Sequence, residues 1–392
     1  MGSREVEVMV KKQRRVDMLK QHIDGRLTVA EVATILEMSA RQVSRIKKRY
    51  LSGGEAALLD KRCGQGSDKR SIGEQRRANI VTLKQGKYAN FTVRHFYEQA
   101  VAHEGVTGSY NTVLRVLQRA GVVEKQDRRG RYRRARKRQP MRGMRMHLDS
   151  SMHAWLGTHQ PDWDLTVAVD DADSRILHAH FAPQEGMDTS FTALKDVIKR
   201  YGCPLMLYTD RGAHFCTTTE KGVVDLDSYT QVQRALDTLG IHHLIAYTPQ
   251  ARGRSERAFK TLQDRLVNEL DLHGITDYDA ANRYLKRRFI PDYNKRYGVK
   301  PEEKAVCFFK PHPALNLDLV LSEHEERTVR HDFTIAFKTK KIQLPDTLIA
   351  PKHVVTVHRS QANTFAISAK GTAIMHLNHD LSMIKNATFS HA

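Results

Sequence analysis

Apolar residues recur at helical spacing through the first third of the chain, then in strand-like runs that alternate with helical stretches. Val16, Leu19 and Ile23 fall on one helical face, Gly25 ends that helix, and Thr28-x-x-Glu31 offers a capping box for the next, through Val32, Ala33 and Leu36. After Met38, Ser39-x-x-Gln42 is a second capping box. It opens a helix whose inward positions are Val43 and Ile46 and whose outward ones include Arg41, Gln42, Ser44, Arg45, Lys47 and Lys48. Helix, tight turn and basic second helix form a helix-turn-helix, whose second helix is sized for the major groove. Arg41, Gln42, Arg45 and Lys48 are its candidate DNA contacts, and a helical bundle with a charged surface is the plain alternative. The pattern then repeats. Phe91, Val93, Phe96, Tyr97 and Val101 pattern a helix, and Ser109-Tyr110-Asn111-Thr112 caps another carrying Val113, Leu114 and Leu117, with Gly121-Val122-Val123 as its exit.

Residues 124–145, EKQDRRGRYRRARKRQPMRGMR, hold too few apolar residues for a core and read as a basic linker. A solvated tether and one that lies along phosphates are compatible readings, and the density of arginine favours phosphate contact, through Arg128, Arg129, Arg131, Arg133 and Arg134. The spacing beyond it predicts strands at 146–149, 165–170 and 175–181, a helix at 189–201 and a strand at 205–209. A helix at 229–239, a strand at 241–246 and a long helix at 253–270 follow. Three strands and then alternating helices and strands mean a mixed α/β sheet with helices on both faces. From about residue 315 short strands at 334–337, 341–344, 354–358 and 364–367 predict a small, barrel-like β domain. The expected domains are therefore helix-turn-helix units at 1–62 and 63–123, the linker at 124–145, the α/β core at 146–314 and the β domain at 315–392.

Composition narrows the function. At 392 residues the chain has room for several cores, and no run of about 18 apolar residues exists to cross a bilayer. The first residues lack the apolar run of a secretory signal, and Cys63, Cys203, Cys216 and Cys307 form no C-x-x-C pair, so a cytoplasmic protein with reduced thiols is expected, on the nucleoid when bound to DNA. Lys and Arg number 64 against 44 Asp and Glu, a formal charge of +20 that calls for a polyanionic partner.

Among the acids, Asp149 closes one apolar strand, Asp210 closes another in LMLYTDRGAHF, and Glu256 lies one turn into the helix opened by TPQARGRSE. Strand ends and a helix start can converge in an α/β sheet. Three carboxylates brought together repel unless divalent metal sits between them, and hard oxygen donors suit Mg²⁺ or Mn²⁺. A chain with 44 acids offers many such triples, so spacing alone selects none.

Local sequence makes the choice. Pro249-Gln250-Ala251-Arg252-Gly253-Arg254-Ser255-Glu256 resembles the P-Q-x-x-G-x-x-E segment of retroviral-type integrases and related bacterial transposases. Tyr208-Thr209-Asp210-Arg211-Gly212 with Phe215 resembles the segment of their second aspartate, and HLDSSMHAWL the first-aspartate segment of insertion-sequence transposases of the ISNCY type. The resemblance covers about four fifths of the chain. It implies an RNase H-like core with Asp149, Asp210 and Glu256 as the catalytic metal ligands, two Mg²⁺ or Mn²⁺ ions, cleavage of double-stranded DNA at the element ends and transfer of the 3′-ends into target DNA. Cutting and joining two ends together implies a homo-oligomer on DNA, with no membrane.

Two departures stand out. The interval from Asp210 to Glu256 is longer than in integrases, the excess fitting the polar stretch CTTTEKGVVDLD, and the position two turns past the glutamate is Gln263 where integrases often carry a basic residue. The basic position one turn past it is kept as Lys260. Asp170 is the reserve for the first ligand, while Arg252 and Arg254 are candidate clamps on the DNA backbone or plain surface charge. His153 and Trp155 are as readily packed residues as functional ones, and His242 and His243 read as structural. The rival function is a catalytically silent helix-turn-helix regulator derived from a transposase.

Overall fold

The computed structural model describes residues 3–58, 72–125, 137–157, 160–218, 224–225, 229–246, 253, 255–345 and 349–383. Arg128, Arg129, Arg131, Arg133 and Arg134 of the basic run, and Arg252 and Arg254, lie outside the described residues. The chain divides into two compact units, Met1–Thr82 and Leu83–Ala392.

In the first unit, α1 (Ser3–Ile23), α2 (Val29–Ile35) and α3 (Ala40–Gly53) close over Leu19, Val32, Val43 and Ile46. Gly25 takes a left-handed φ of 76°, and the Arg26 N–H turns back to the Gln21 carbonyl, which ends α1 where the glycine stands. Both capping boxes form: Thr28 with Glu31, and Ser39 with Gln42. Ile23 is largely exposed rather than packed, because α1 has already reached its last turn there. Helix α4 (Glu74–Gln85) runs across the boundary between the units.

The second unit opens with α5 (Val93–His103) and α6 (Tyr110–Arg119), capped by Thr92 and Ser109. Phe91, Phe96, Val113 and Leu117 are buried, and Tyr88 packs edge-on against Phe91. The central sheet follows: β1 (Arg145–His153), β2 (Trp163–Asp170), β3 (Ile176–Ala182), α7 (Met187–Tyr201), β4 (Met206–Thr209), a short hairpin β5 (Thr217–Thr218) and β6 (Val224–Asp225), α8 (Gln231–Leu239) and β7 (His242–Ile245). Its strand order is β3-β2-β1-β4-β7. β1, β2 and β3 pair antiparallel, and β4 and β7 add in parallel on the other side of β1, so the sheet is mixed. Strand period sorts the side chains between two cores. Met146 and Leu148 of β1 pack with α7 and α8, whereas Val167 and Val169 of β2 pack with α9 (Ser255–Leu272), α10 (Tyr278–Tyr284) and α11 (Ile290–Tyr297). One turn of π-helix, Leu285–Phe289, joins α10 to α11.

After α12 (Leu317–Val320) come β8 (Glu323–Thr328), β9 (Thr334–Phe337), β10 (Lys340–Gln343), β11 (Val354–Arg359), β12 (Phe365–Ala369) and β13 (Thr372–Leu377). They form an antiparallel sheet β13-β12-β11-β8 and a β10-β9 hairpin over one core that includes Ile335, Val357, Phe365 and Ile367. β8 reads EHEERT, which carries no apolar alternation, so only its pairing with β11 reveals it as an edge strand.

Candidate active site

Asp149 lies on β1 and Asp210 directly follows β4. The two strands pair with Arg145 opposite Met206, Met146 opposite Leu207 and His147 opposite Tyr208. The paired residues end there; the same offset continued two residues further would bring Asp149 level with Asp210. Parity decides which face Asp149 takes: Met146 and Leu148 point to the α7–α8 core, so Asp149 and Ser151 share the face covered by α9. The Gln263 amide of α9 donates to Ser151 Oγ at 3.3 Å on that face. Glu256 and Lys260 are one turn apart at the exposed start of α9. Gln263, two turns past the glutamate, therefore spends its amide on β1.

Among the described residues no group of three His, Cys, Asp or Glu side chains stands close enough to hold a metal ion. Asp149 is buried on β1, Asp210 lies just past the end of the neighbouring β4, and Glu256 is exposed at the start of α9, two residues past a residue outside the described set. The donor set is nonetheless that of a hard divalent cation: three carboxylates, with no sulfur and no imidazole required.

The turn after β4 is shaped around Asp210. The Gly212 N–H donates to its Oδ1 at 2.8 Å, and a Cβ on Gly212 would come within 3.2 Å of that oxygen and 3.0 Å of the His214 ring. Thr209 Oγ1 donates to the Asp210 carbonyl and meets His243 Nε2 at 2.9 Å. His243 thus braces the strand that ends at Asp210, and burial pushes its imidazole down to about 4. Trp155 is wholly buried, its Nε1–H donating to the Ser151 carbonyl, and His153 packs edge-on against it.

Asp170, Asp171 and Asp173 are each almost fully buried and serve the chain that leads into β1. Asp170 accepts from the Gly143 and Ala172 N–H groups; Asp171 accepts from the Gln139 N–H and His147 Nε2; Asp173 meets Arg142 at 2.8 Å. Burial raises the Asp170 carboxyl above its usual range despite its two N–H donors. These acids tie down the end of the basic run, a role that a β2–β3 turn spelled DDADSR does not announce.

In the first unit Arg41, Gln42, Arg45 and Lys48 are all exposed on α3. Gln42 Oε1 is committed to the Ser39 N–H and hydroxyl, which leaves its amide nitrogen to face outward.

Comparison with known proteins bears on the family. A helix-turn-helix domain model matches residues 14–67. The y4bF protein of Sinorhizobium fredii (strain NBRC 101917 / NGR234), by name a transposase, is 32% identical over 337 residues, 85% of this chain and 72% of its own length. The transposase for insertion sequence IS1202 of Streptococcus pneumoniae is 28% identical over 363 residues, 82% of this chain and 76% of that protein. The solved HTLV-2 integrase catalytic core domain in complex with magnesium aligns with 36% of this chain and 83% of its own at 17% identity, with a TM-score of 0.28, too low to bear weight. Identity at this level over most of both curated relatives, together with the matched helix-turn-helix, makes the chain a member of the insertion-sequence transposases.

Proposed function

We propose that this transposase binds the terminal inverted repeats of its insertion sequence, cleaves the DNA at those ends and transfers the 3′-hydroxyl ends into target DNA. The observation that supports the reading is the parallel pairing of β1 with β4, whose offset, continued two residues past His147 and Tyr208, would bring Asp149 level with Asp210 on the face covered by α9, the helix that carries Glu256 in its first turn. Two Mg²⁺ or Mn²⁺ ions held by Asp149, Asp210 and Glu256 would supply phosphoryl-transfer chemistry, activating the attacking oxygen and stabilising the leaving one. The chain's own residues supply the rest. Lys260, exposed one turn beyond Glu256, holds a DNA phosphate near the carboxylates, and Gln263 fixes α9 to β1 rather than gripping DNA. Arg41, Arg45 and Lys48 of α3 reach the major groove, while Arg128, Arg129, Arg131, Arg133 and Arg134, with Arg252 and Arg254, contact backbone phosphate. The α5–α6 pair is a second DNA-binding unit. Homo-oligomers bring two ends together, and no covalent protein–DNA link forms.

A strand-transfer assay tests this. A duplex carrying the element end, nicked to expose its 3′-hydroxyl, is incubated with Mg²⁺ or Mn²⁺ and a target duplex. Joining is expected from the wild type and not from Glu256→Ala. Joining that persists in EDTA refutes the mechanism, and tight end binding with neither cutting nor joining under either metal installs the silent regulator in its place.

A further inference from the structure

The α5–α6 pair does not hang from the core; it is joined to it through charged pairs that are buried at Arg265 and His95 and more exposed at Arg296. Glu98 of α5 accepts from Arg265 of α9 at 2.6 Å, from Arg296 of α11 at 3.0 Å and from Arg94 of its own helix at 2.9 Å. Arg265 is 8% exposed and also lies over the Tyr297 ring. Next to it, wholly buried His95 donates from Nε2 to Glu269 of α9 at 3.1 Å, and the Tyr284 hydroxyl of α10 donates to the same carboxylate at 2.8 Å. Ion pairs of this kind are directional. Buried charge adds little to stability over an apolar contact of the same size, but its hydrogen bonds form only with donor and acceptor aligned, which favours one pose of the two surfaces. An apolar seam would have sufficed to hold the helices; this seam holds them in one pose.

What the lock holds is a basic helix. On α6, Asn111, Arg115 and Arg119 are exposed along one side, opposite buried Val113 and Leu117. What it holds that helix to is α9, the helix that begins at Glu256. From Glu256 to Glu269 the helical rise is about 20 Å, so the docking site and the catalytic glutamate lie on one rigid rod.

We propose that α6 is a second duplex-reading surface, through Asn111, Arg115 and Arg119, and that the Glu98–Arg265–Arg296 and His95–Glu269 lock makes it a ruler: it sets how many base pairs separate the sequence α6 reads from the phosphodiester presented to Asp149, Asp210 and Glu256. Glu98 and Arg265 are then positioning residues. The proposal rests on the transposase chemistry above, but its first test does not.

Hydroxyl-radical footprints of the whole protein on the element-end duplex, made with chelated iron and no added Mg²⁺ or Mn²⁺, should contain a patch that Arg115→Ala erases and another that Lys260→Ala erases. Insertion of one to four base pairs between the two patches should leave their separation unchanged for the wild type, because the protein fixes it. With Glu98→Ala the separation should follow the DNA instead, and Glu98→Asp, which keeps the carboxylate among its three arginines, should retain the fixed value. Should Glu98→Ala not fold, the wild-type insertion series decides alone. An Arg115→Ala footprint identical to the wild type, or patches that separate with the inserted length in the wild type, overturns the proposal. When Mg²⁺ is added, the cut should keep its distance from the Arg115-dependent patch. Constant footprints with no cutting would leave the ruler standing and remove the catalytic reading.

Discussion

At the residue scale, acids of the same type meet opposite fates. Asp149 lies on β1 and Asp210 just past the end of the neighbouring β4, whereas Asp170, Asp171 and Asp173 are consumed by N–H groups, His147 and Arg142. Asp149→Ala, Asp210→Ala and Glu256→Ala should each reduce strand transfer by at least about a hundredfold while end binding persists, since one missing ligand disables a shared metal site. Asp210→Asn should also abolish Mn²⁺ binding by calorimetry, and Asp170→Asn should leave it unchanged. Asp171→Asn should behave differently. It strands buried His147 and loosens the Gln139 N–H, so melting should register a loss of about 3 kcal/mol with no change in Mn²⁺ affinity.

At the element scale, local rules and tertiary contacts each account for part of what is seen. Thr28-x-x-Glu31 and Ser39-x-x-Gln42 predict helix starts from sequence, and both boxes form, because a cap is settled within four residues. Ser39→Ala should cost the first unit about 1 kcal/mol, measured by its thermal transition. DNA affinity should fall in step with that loss rather than beyond it, because Ser39 faces its own helix. Arg45→Ala should do the reverse: stability held within about 0.5 kcal/mol, and discrimination between end and scrambled duplexes lost in a gel shift. The central helix predicted at 253–270 is found as Ser255–Leu272, and the strand predicted at 146–149 runs on to His153. The extension follows from pairing, since Ser150 to His153 are held opposite Thr166 to Trp163 of β2 although their own sequence, SSMH, is no strand signal.

At the scale of the whole molecule, charge and buried histidine set the solution behaviour. A formal +20 makes binding to duplex DNA fall steeply as salt rises, with a log–log slope that reports the phosphates engaged. Alanine at Arg129, Arg131 and Arg133 together should flatten that slope and weaken end and scrambled duplexes alike. Acid should undo the joint between the core and the β domain, where Arg359 bridges Asp188 and Glu323, and Gln231 exchanges hydrogen bonds with the His324 backbone. Within it, His358 is buried between Ser322 and Ser368 hydroxyls, and burial first, then His324 beside it, pushes its imidazole down to about 4. The folded state therefore takes up this proton later than the unfolded chain does. Its contribution is fully present above about pH 6.5 and is lost as pH falls toward 4, by about 3 kcal/mol. A melting series should slope down across that window, and less steeply in His358→Gln, since His243 and the other buried imidazoles still contribute.

Much of this protein is decided by sequence alone, for a physical reason: caps, helical periods, turn glycines and the apolar runs of central strands are local, so Val43 and Ile46 face inward and Gly25 stops its helix wherever the chain is. The three acids were legible only through the motifs around them, because a carboxylate has no periodicity of its own. Tertiary structure decided what depends on residues far apart. It laid β4 parallel beside the strand that carries Asp149, spent Asp170 and Asp171 on the chain entering β1, and paired the polar strand β8. It also joined Glu98 to Arg265 and His95 to Glu269 across 167 and 174 positions, contacts that no local pattern encodes because each partner, read by itself, is one more charged or polar residue on a helix.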